Sequence, residues 1–323
     1  MTIDFSKALV APEIHISDGL YKIGVAIPTY KREDLLRKLL FSIPAEWNIY
    51  ISDNDASMKL VSEPLAGLVS HASSLLSMFA NWNRALSLVP SEVTHVLIVS
   101  DDDLFLQSSG SVVMRAIEQN PDCDMFVFGC DFCDEFNHIW KGYSPKNMQV
   151  YAKGQAFHVF EHGVSARMPG ILFRKTFLDE IGAFDERFEL TAADSELIQR
   201  ATLLGRTVFI PETIALYRIW SGSATNRFQA VTLWMSEISM WTDKIAQLLH
   251  DGHQPVGRRV NVKRYKAEIF AQNLLAGINN LRAKGELAEA NDYLKRHKFP
   301  AGARMKTRLR FLRSRLAIWI AAR

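Results

Sequence analysis

Three consecutive aspartates, Asp101–Asp103, follow the apolar run 95–100. Carboxylates this close together repel one another by about 1 kcal/mol or more per close pair, so we expect a positive group to compensate them. A divalent cation would do this. Oxygen ligands favour Mg²⁺ or Mn²⁺, and phosphate oxygens could fill the coordination positions that the protein leaves open. The alternative is an acidic loop or a helix N-cap, because aspartate caps helices well.

Two further acidic clusters stand out. Asp53 and Asp55 follow the run 47–52, and Asp194 and Glu196 lie at the start of a predicted helix. A carboxylate at the edge of a crevice can take a proton from an attacking hydroxyl. Acidic residues in a first helical turn are also stabilised by the helix dipole, so Asp194 is either a general base or a cap.

The sequence lacks both glycine-rich phosphate-binding patterns, G-x-x-x-x-G-K-[ST] and G-x-G-x-x-G. This argues against a kinase, an ATPase or a dinucleotide-dependent dehydrogenase. A diphosphate bridged to the protein by a metal ion is still compatible with the acidic clusters.

From residue 21 to about 130, short β-branched runs alternate with segments of helical periodicity, and these segments must form the elements that position the acidic clusters. This pattern predicts an α/β fold with a mostly parallel central sheet flanked by helices. We predict strands over 22–27, ended by Pro28, and over 47–52, 95–100 and 125–130. Two of the acidic clusters then lie at carboxyl ends of strands, where open α/β sheets bind ligands.

Composition limits the class of protein. With 323 residues, 48% hydrophobic and 23% charged, the chain is neither disordered nor a disulfide scaffold. No apolar run approaches the roughly 18 residues of a membrane span, and the first residues do not read as a signal peptide, so we expect a cytoplasmic protein. The three cysteines, Cys123, Cys130 and Cys133, are expected to be free thiols.

From residue 229 onward the pattern becomes helical, over 230–250, 259–284, 286–297 and 304–323. We expect two domains, 1–228 and a helical extension, 229–323.

The segment 304–323 carries seven basic and no acidic residues, whereas residues 1–303 carry 31 basic against 35 acidic residues. On a helical wheel its apolar residues form one stripe beside arginines, which predicts peripheral membrane contact. The alternatives are a helix docked on the protein itself and, least favoured, a nucleic-acid-binding arm; we expect no nucleic-acid partner.

Six segments in order resemble inverting glycosyltransferase family 2, which has the GT-A (Rossmann-like) fold. They are VAIPTYKREDLLRKLLFSI, IYISDNDAS, FANWNRAL, VLIVSDDDLF, MPGILFRKTFLDEIGAFDERFEL and AADSELIQRA followed by LGRTVFIPETIALYRIWSGSAT. The resemblance runs from about residue 22 to 226. It implies a metal-dependent hexosyltransferase of the bacterial polysaccharide type, using Mn²⁺ or Mg²⁺.

Carried over residue by residue, the resemblance implies a donor site and a metal site. The donor-site residues are Pro28, Thr29, Asp53, Asn81, Arg84, Asp101, Asp102, Gly170 and Arg218. Within the triplet, which matches the DXD motif, Asp103 would ligate the metal and Asp102 would contact the metal or the ribose. An arginine at position 84 could clamp phosphate oxygens, or it could be a surface residue of a helix.

The resemblance makes Asp194 the catalytic base, with Glu196 as a supporting or substitute acid. Two departures accompany it: Ala193 stands where a glutamate is common, and Trp220 stands where many relatives have a histidine. Tryptophan offers no lone pair to a metal, so Trp220 either stacks on a sugar or packs in the core.

The reaction implied is inverting transfer of a sugar from a nucleotide-diphosphate sugar to a hydroxyl of a glycan or polyprenyl-linked saccharide, in polysaccharide biosynthesis. It would occur in the cytoplasm, at the inner face of the membrane if 304–323 binds there. One rival is an inactive family member serving as a binding or scaffold subunit. Another is a phosphate-transfer hydrolase using Asp101 and Asp103, although Leu104-Phe105 supply no hydroxyl for that chemistry.

Overall fold

The computed structural model describes residues 20–55, 69–190, 192–220, 232–255 and 257–321. They form two compact units. Unit 1 contains the described residues up to Lys153, with Ser165–Glu189 and Leu204–Trp220; unit 2 contains Gly154–Val164, Leu190–Leu203 and the described residues from 232 onward. The expected domain boundary at 228/229 lies outside the described residues.

The described residues form the strands and helices that follow, numbered in chain order. The strands are β1 (Ile23–Thr29), β2 (Asn48–Asp53), β3 (Val69–His71), β4 (His95–Ile98), β5 (Leu104–Phe105), β6 (Met125–Cys133), β7 (Ile139–Tyr143), β8 (Gln149–Tyr151), β9 (Ile171–Arg174) and β10 (Thr207–Arg218). The helices are α1 (Glu33–Ser42), α2 (Met78–Ser87), α3 (Ser109–Gln119), α4 (Phe157–Phe160), α5 (Lys175–Ile181), α6 (Ala192–Leu204), α7 (Thr232–His250), α8 (Val262–Ala283), α9 (Leu287–Arg296) and α10 (Met305–Ala321).

Unit 1 is built on a mixed sheet with the strand order β3-β2-β1-β4-β9-β6-β10-β5, to which β7 adds beside β6 and β8 beside β10. The pairs β3–β2, β2–β1, β1–β4 and β6–β10 are parallel, and β9 is antiparallel to both of its neighbours. Six strands, β1 to β4, β6 and β10, therefore share one direction. The predicted α/β class with a mostly parallel sheet and flanking helices is confirmed.

Burial explains why these segments become strands and helices. All seven residues of β1 and all four of β4 are buried, as expected for central strands covered on both faces. In α1, Leu36, Leu39 and Leu40 recur at helical spacing and enter the core. The three cysteines are buried and free, as expected.

Several strand boundaries differ from the expectation: β2 is shifted by one residue, β4 ends at Ile98 and β6 continues to Cys133. The difference that bears on the acidic clusters is at the end of β1. Pro28 does not end β1, which continues to Thr29. Proline has no N–H to give to a neighbouring strand, but pairing with β4 stops at Ala26, so Pro28 and Thr29 are paired only with β2. Thr29 therefore reaches the carboxyl edge of the sheet, in register with Asp53.

Unit 2 contains the predicted C-terminal helices. Its core includes the fully buried rings of Tyr265 and Tyr293, and the Tyr293 ring lies so close to Gly277 that a Cβ there would come within 2.9 Å of it. The packed pairs are α7 with α8, α8 with α9, and α8 with α10. Among the described helices, none combines the length and the apolar character that crossing a bilayer requires.

Candidate functional site

The triplet Asp101–Asp103 lies in the turn after β4, and all three residues are buried, with 1%, 8% and 2% of their surface exposed. The backbone N–H of Asp103 donates to the carbonyl of Ser100, which closes the turn. Buried carboxylates require partners, because removing a charge from water without compensation is expensive.

Arg32 supplies part of that compensation. Its Nη1 lies 3.0 Å from Asp101 Oδ1 and 2.9 Å from Asp102 Oδ2. The preceding residue, Lys31, has a φ of 56°, a left-handed turn that directs the chain from β1 into α1 just before Arg32. Sequence reasoning missed Arg32. The available signal was a basic residue four positions after Pro28, at the sheet edge where the acidic cluster was expected.

Asp101 has a second partner on β1. The Thr29 hydroxyl donates to Asp101 Oδ2 at 2.8 Å. Burial raises the pKa of Asp101 to about 7 even though the Arg32 guanidinium acts in the opposite direction. Thr29 thus joins the ends of β1 and β4, and its register with Asp53 places β2 beside them.

Asp103 has a different environment. Its Oδ1 accepts the Arg218 backbone N–H at 3.2 Å, and its Oδ2 accepts the Ser100 N–H at 3.3 Å. Burial, followed by the neighbouring Asp102 carboxylate, raises the pKa of Asp103 well above its ordinary value. Within the described ranges no basic side chain forms an ion pair with Asp103, so this carboxylate has backbone donors but no counter-charge.

The difference between Asp101 and Asp102, which are paired with Arg32, and Asp103, which accepts only backbone N–H groups, indicates whether the triplet could bind a divalent cation. No described group of three or more His, Cys, Asp or Glu side chains could enclose a metal on its own. A site that leaves positions for phosphate oxygens needs only one or two carboxylates. Asp103, which has no cationic partner in the described part of the chain, is the residue that the resemblance assigns to the metal, with Asp102 beside it. The donor set therefore fits Mg²⁺ or Mn²⁺ shared with a diphosphate.

Two residues at the end of β10 fix the triplet in place. Arg218 is 3% exposed; its Nε donates to the Asp102 carbonyl at 2.9 Å, and its Nη1 to the Asp134 carbonyl and to Asn137 Oδ1. Its Nη2 is buried and has no acceptor within the described residues, which leaves one donor for a ligand oxygen. Asp134 and Asn137, in the turn between β6 and β7, were not singled out in the sequence.

Trp220 contacts the triplet through its polar edge. The indole Nε1–H donates to Asp102 Oδ2 at 2.9 Å, and the Arg32 guanidinium lies 6.0 Å from the centre of the ring. An indole N–H cannot bind a metal, but it can orient the Asp102 carboxylate that accepts it. Trp220 is thus a polar partner of Asp102, a role that neither of the sequence-based alternatives included.

Asp53 ends β2 and is fully buried. It accepts the Asp55 backbone N–H at 2.9 Å and contacts His71 Nδ1 at 3.1 Å. Burial raises the pKa of Asp53, although both of these contacts favour the charged form. Its expected role, binding the nucleotide base, stays a prediction.

Asn81 and Arg84, on α2, connect neighbouring strand ends. Asn81 is buried; it accepts the Ser52 hydroxyl at 2.7 Å and donates to the Thr29 and Ser52 carbonyls at 3.3 Å each. Arg84 donates to the Ser52 hydroxyl and to both oxygens of Ser70, at 2.6 to 2.8 Å, and to the carbonyl of His71. The expected contacts of Asn81 and Arg84 with the nucleotide stay predictions, and these bonds give both residues a structural role.

Gly170 ends a short turn, Met168–Gly170, that leads into β9. A Cβ at this position would lie 3.1 Å from the Phe128 carbonyl and 3.2 Å from Cys130 Cβ, so the close approach of β6 favours glycine. Whether substrate also approaches Gly170 or Pro28 stays a prediction.

An open cavity of about 830 Å³ lies next to the strands that carry the triplet. It is lined by Leu106, Gln107, Ser108, Asp131, Ile139, Trp140, Lys141 and Leu216. Leu216 pairs with Leu104, the residue that follows the triplet, and Trp140 is 42% exposed. An exposed aromatic ring among apolar and hydrogen-bonding side chains can stack on a sugar face.

The third acidic cluster belongs to unit 2. Asp194 is half-buried in the first turn of α6, and its Oδ1 accepts the Ser195 backbone N–H at 2.6 Å. Glu196 is fully buried and forms a two-pronged ion pair with Arg200, at 2.7 and 2.9 Å, with Lys244 at 3.5 Å. The catalytic roles expected for both stay predictions.

Comparison with known proteins identifies the fold. No protein-family model matches the sequence, and no curated protein matches it either. Among solved structures, residues 1–349 of TarS from S. aureus in complex with UDP-GlcNAc superpose with a TM-score of 0.58 at 15% identity, over 80% of this chain and 81% of that one. The mannosyltransferase PcManGT from Pyrobaculum calidifontis, in complex with GDP-Man and Mn²⁺, superposes with a TM-score of 0.51 at 14% identity, over 93% of this chain and 81% of that one. The chain has the GT-A glycosyltransferase fold. The fold expected from the resemblance is therefore confirmed, and in it the triplet, Thr29 and Asp53 share one edge of the sheet.

Proposed function

We propose that this protein transfers a sugar from a nucleotide-diphosphate sugar to an acceptor hydroxyl, with inversion at the anomeric carbon. The proposal depends on one observation: in a GT-A fold, a buried DXD-like triplet is held by Arg32, Trp220 and Arg218, and its last aspartate has no counter-charge among the residues that the structure describes. The solved TarS and PcManGT complexes contain UDP-GlcNAc and GDP-Man respectively, which supports a nucleotide-sugar donor.

The leaving group in such a transfer is a nucleoside diphosphate that gains negative charge as the glycosidic bond breaks. A divalent cation held by Asp103 and Asp102 would act as a Lewis acid toward that charge. The Arg218 Nη2 is buried without an acceptor among the described residues, and in this proposal it donates to a phosphate oxygen. Arg32 and Trp220 keep the Asp102 carboxylate in a fixed orientation.

The acceptor must lose a proton as its oxygen attacks. In this proposal Asp194 takes the hydroxyl proton, the acceptor oxygen bonds to the anomeric carbon, and the bond to the diphosphate oxygen breaks. Asp194 is favoured over Glu196, because Glu196 is fully buried and already paired with Arg200. The cavity at Trp140 is the proposed subsite for an acceptor saccharide.

We infer the class of acceptor from the sequence resemblance to glycosyltransferase family 2. We propose a glycan or polyprenyl-linked saccharide in polysaccharide biosynthesis, modified in the cytoplasm at the inner face of the cytoplasmic membrane. Support comes from the basic segment 304–323, which the sequence associates with peripheral membrane contact.

The experiment combines donor binding with turnover. Thermal unfolding is followed with UDP and GDP in the presence of Mn²⁺, and a ligand at 100 times its Kd should stabilise the protein by about 2.7 kcal/mol. Release of nucleoside diphosphate from a panel of nucleotide-sugars then measures turnover. Asp103→Asn should abolish the metal-dependent stabilisation, whereas Asp194→Asn should bind donor normally and turn over about 10²- to 10⁴-fold more slowly.

Asp292→Asn, at an exposed ion pair on α9, is the matched control and should behave like the unmodified protein. Binding without turnover of any nucleotide-sugar would support a scaffold subunit and contradict the proposal. Normal turnover in Asp194→Asn would remove the assigned base.

A further inference from the structure

Helix α10 buries one face and exposes the opposite one. Thr307, Phe311, Ser314 and Ile318 are 3% to 7% exposed and form the face that packs within unit 2. The rings of Phe311 and Phe299 have centroids 4.3 Å apart, and the Ser314 hydroxyl lies 3.1 Å from Asn279 Oδ1. These contacts fix the rotation of the helix about its axis.

The opposite face carries a stripe of large apolar side chains exposed to solvent. Their exposed fractions are 66% for Met305, 59% for Leu309, 51% for Leu312, 56% for Leu316, 53% for Trp319 and 61% for Ile320. The first five are spaced three or four positions apart, and Ile320 lies four positions after Leu316, so on a helix with 3.6 residues per turn all six form one continuous row. Single exposed apolar residues are normal on a protein surface, but a contiguous row of this kind marks an interaction surface.

Basic residues border this row on both sides. At 3.6 residues per turn, Lys306, Arg310 and Arg313 lie along one border, while Arg308 and Arg315 lie along the other with Arg304 just before the helix. Acidic residues are absent from 304–323. The outward face therefore consists of an apolar strip between two positive rows.

We propose that the outward face of α10 is a preformed docking surface for an anionic lipid bilayer. The helix would lie in the plane of the membrane, with the apolar row inserted among acyl chains and the basic rows at the headgroups. A second copy of this chain fits less well, because a symmetric pairing through this face would bring like-charged rows together. The proposal rests on α10 alone and does not require the proposed function.

The surface is preformed because a buried carboxylate holds the start of the helix. Glu268 on α8 accepts the Thr307 hydroxyl at 2.6 Å and the Arg304 backbone N–H at 2.7 Å. Burial alone would raise the pKa of Glu268, but these hydrogen bonds outweigh it and lower the pKa, so the carboxylate stays ionised at neutral pH. Helix α10 is thus ordered before any membrane is present, unlike segments that fold on binding.

The test is sedimentation of the full chain with vesicles of phosphatidylcholine, with and without phosphatidylglycerol. The unmodified protein should sediment with the anionic vesicles and stay in solution with the neutral ones. Combined Leu309→Ser, Leu312→Ser and Leu316→Ser substitutions should weaken binding by about 100-fold or more. Combined Arg310→Gln and Arg313→Gln substitutions should weaken it by about 25-fold, since each cation at an anionic surface contributes about a factor of 5.

Leu75→Ser, a change at a leucine of unit 1 that is 69% exposed, is the control and should bind like the unmodified protein. All the substituted side chains are exposed, so thermal unfolding should be unaffected, and circular dichroism should show no gain in helix on vesicle binding. The proposal is overturned if the unmodified protein ignores anionic vesicles, if the serine variant still binds them, or if helix content rises on binding. Light scattering that shows a dimer lost in the serine variant, without vesicle binding, would assign the face to a second copy instead.

Discussion

Replacing Arg84 with methionine tests whether this residue holds the sheet edge together or binds phosphate. Both terminal nitrogens of Arg84 already donate twice, to the Ser52 and Ser70 hydroxyls and to the carbonyls of Ser70 and His71. The short strand β3 is thereby tied to the end of β2 by a side chain of α2. Methionine keeps the length and helix propensity of the residue but removes all four bonds.

The size of the effect follows from these bonds. Each hydrogen bond contributes about 0.5–1.5 kcal/mol net, and the guanidinium is partly exposed, so the lower half of that range is appropriate. Four bonds then correspond to about 2–4 kcal/mol of unfolding free energy. At about 2–4 °C per kcal/mol for a unit of this size, Arg84→Met should lower the Tm by about 5–15 °C.

Thermal unfolding by circular dichroism measures this shift. Arg115→Met is the control, because Arg115 is half exposed and forms one surface ion pair with Glu212, so its Tm should change by no more than about 2 °C. A Tm for Arg84→Met as close to the unmodified protein as that of the control would refute the structural role. Loss of nucleoside diphosphate affinity at unchanged Tm would instead favour the phosphate-binding role.

Three further outcomes are expected. Burial lowers the pKa of His95 to about 4, so the unfolded chain binds this proton first and His95 contributes a loss of about 3 kcal/mol of stability as the pH falls from about 6.5 to 4; in urea titrations His95→Phe should gain about that much stability at pH 4 relative to pH 7, compared with the unmodified protein. Trp220→Phe keeps the ring but removes the bond to Asp102, and calorimetry should show nucleoside diphosphate binding about fivefold weaker. Trp140→Ala should raise the acceptor KM about tenfold with donor affinity unchanged, in steady-state kinetics of transfer; an unaltered KM would remove the acceptor subsite from the cavity.

The sequence predicted that the acidic triplet needs positive charge nearby, but it did not predict that a side chain supplies part of that charge. Three adjacent carboxylates required positive charge, and a divalent cation was the simplest source. Arg32 provides that charge for Asp101 and Asp102, while Asp103 has none among the described residues. A cation bound at this site would therefore compensate mainly one carboxylate.

The fold class and the position of the acidic clusters along the chain can be predicted from the amino-acid sequence alone. Alternation of buried β-branched runs with helical periodicity is a local pattern, and it predicted β1, β2, β4 and the C-terminal helices closely. It also identified the apolar row on the last helix, because helical spacing alone places those side chains on one side.

Which side chains come into contact depends on the packing of the folded chain. Arg32 and Trp220 lie about 70 and 118 positions from Asp102 along the chain, and sheet pairing together with a left-handed turn at Lys31 brings them to one carboxylate. The same packing determines that α10 buries one face and exposes the other. Such contacts join residues that are far apart in the sequence, so a local periodic pattern cannot predict them. Each pair of side chains contributes to stability only after the strands that carry them have assembled.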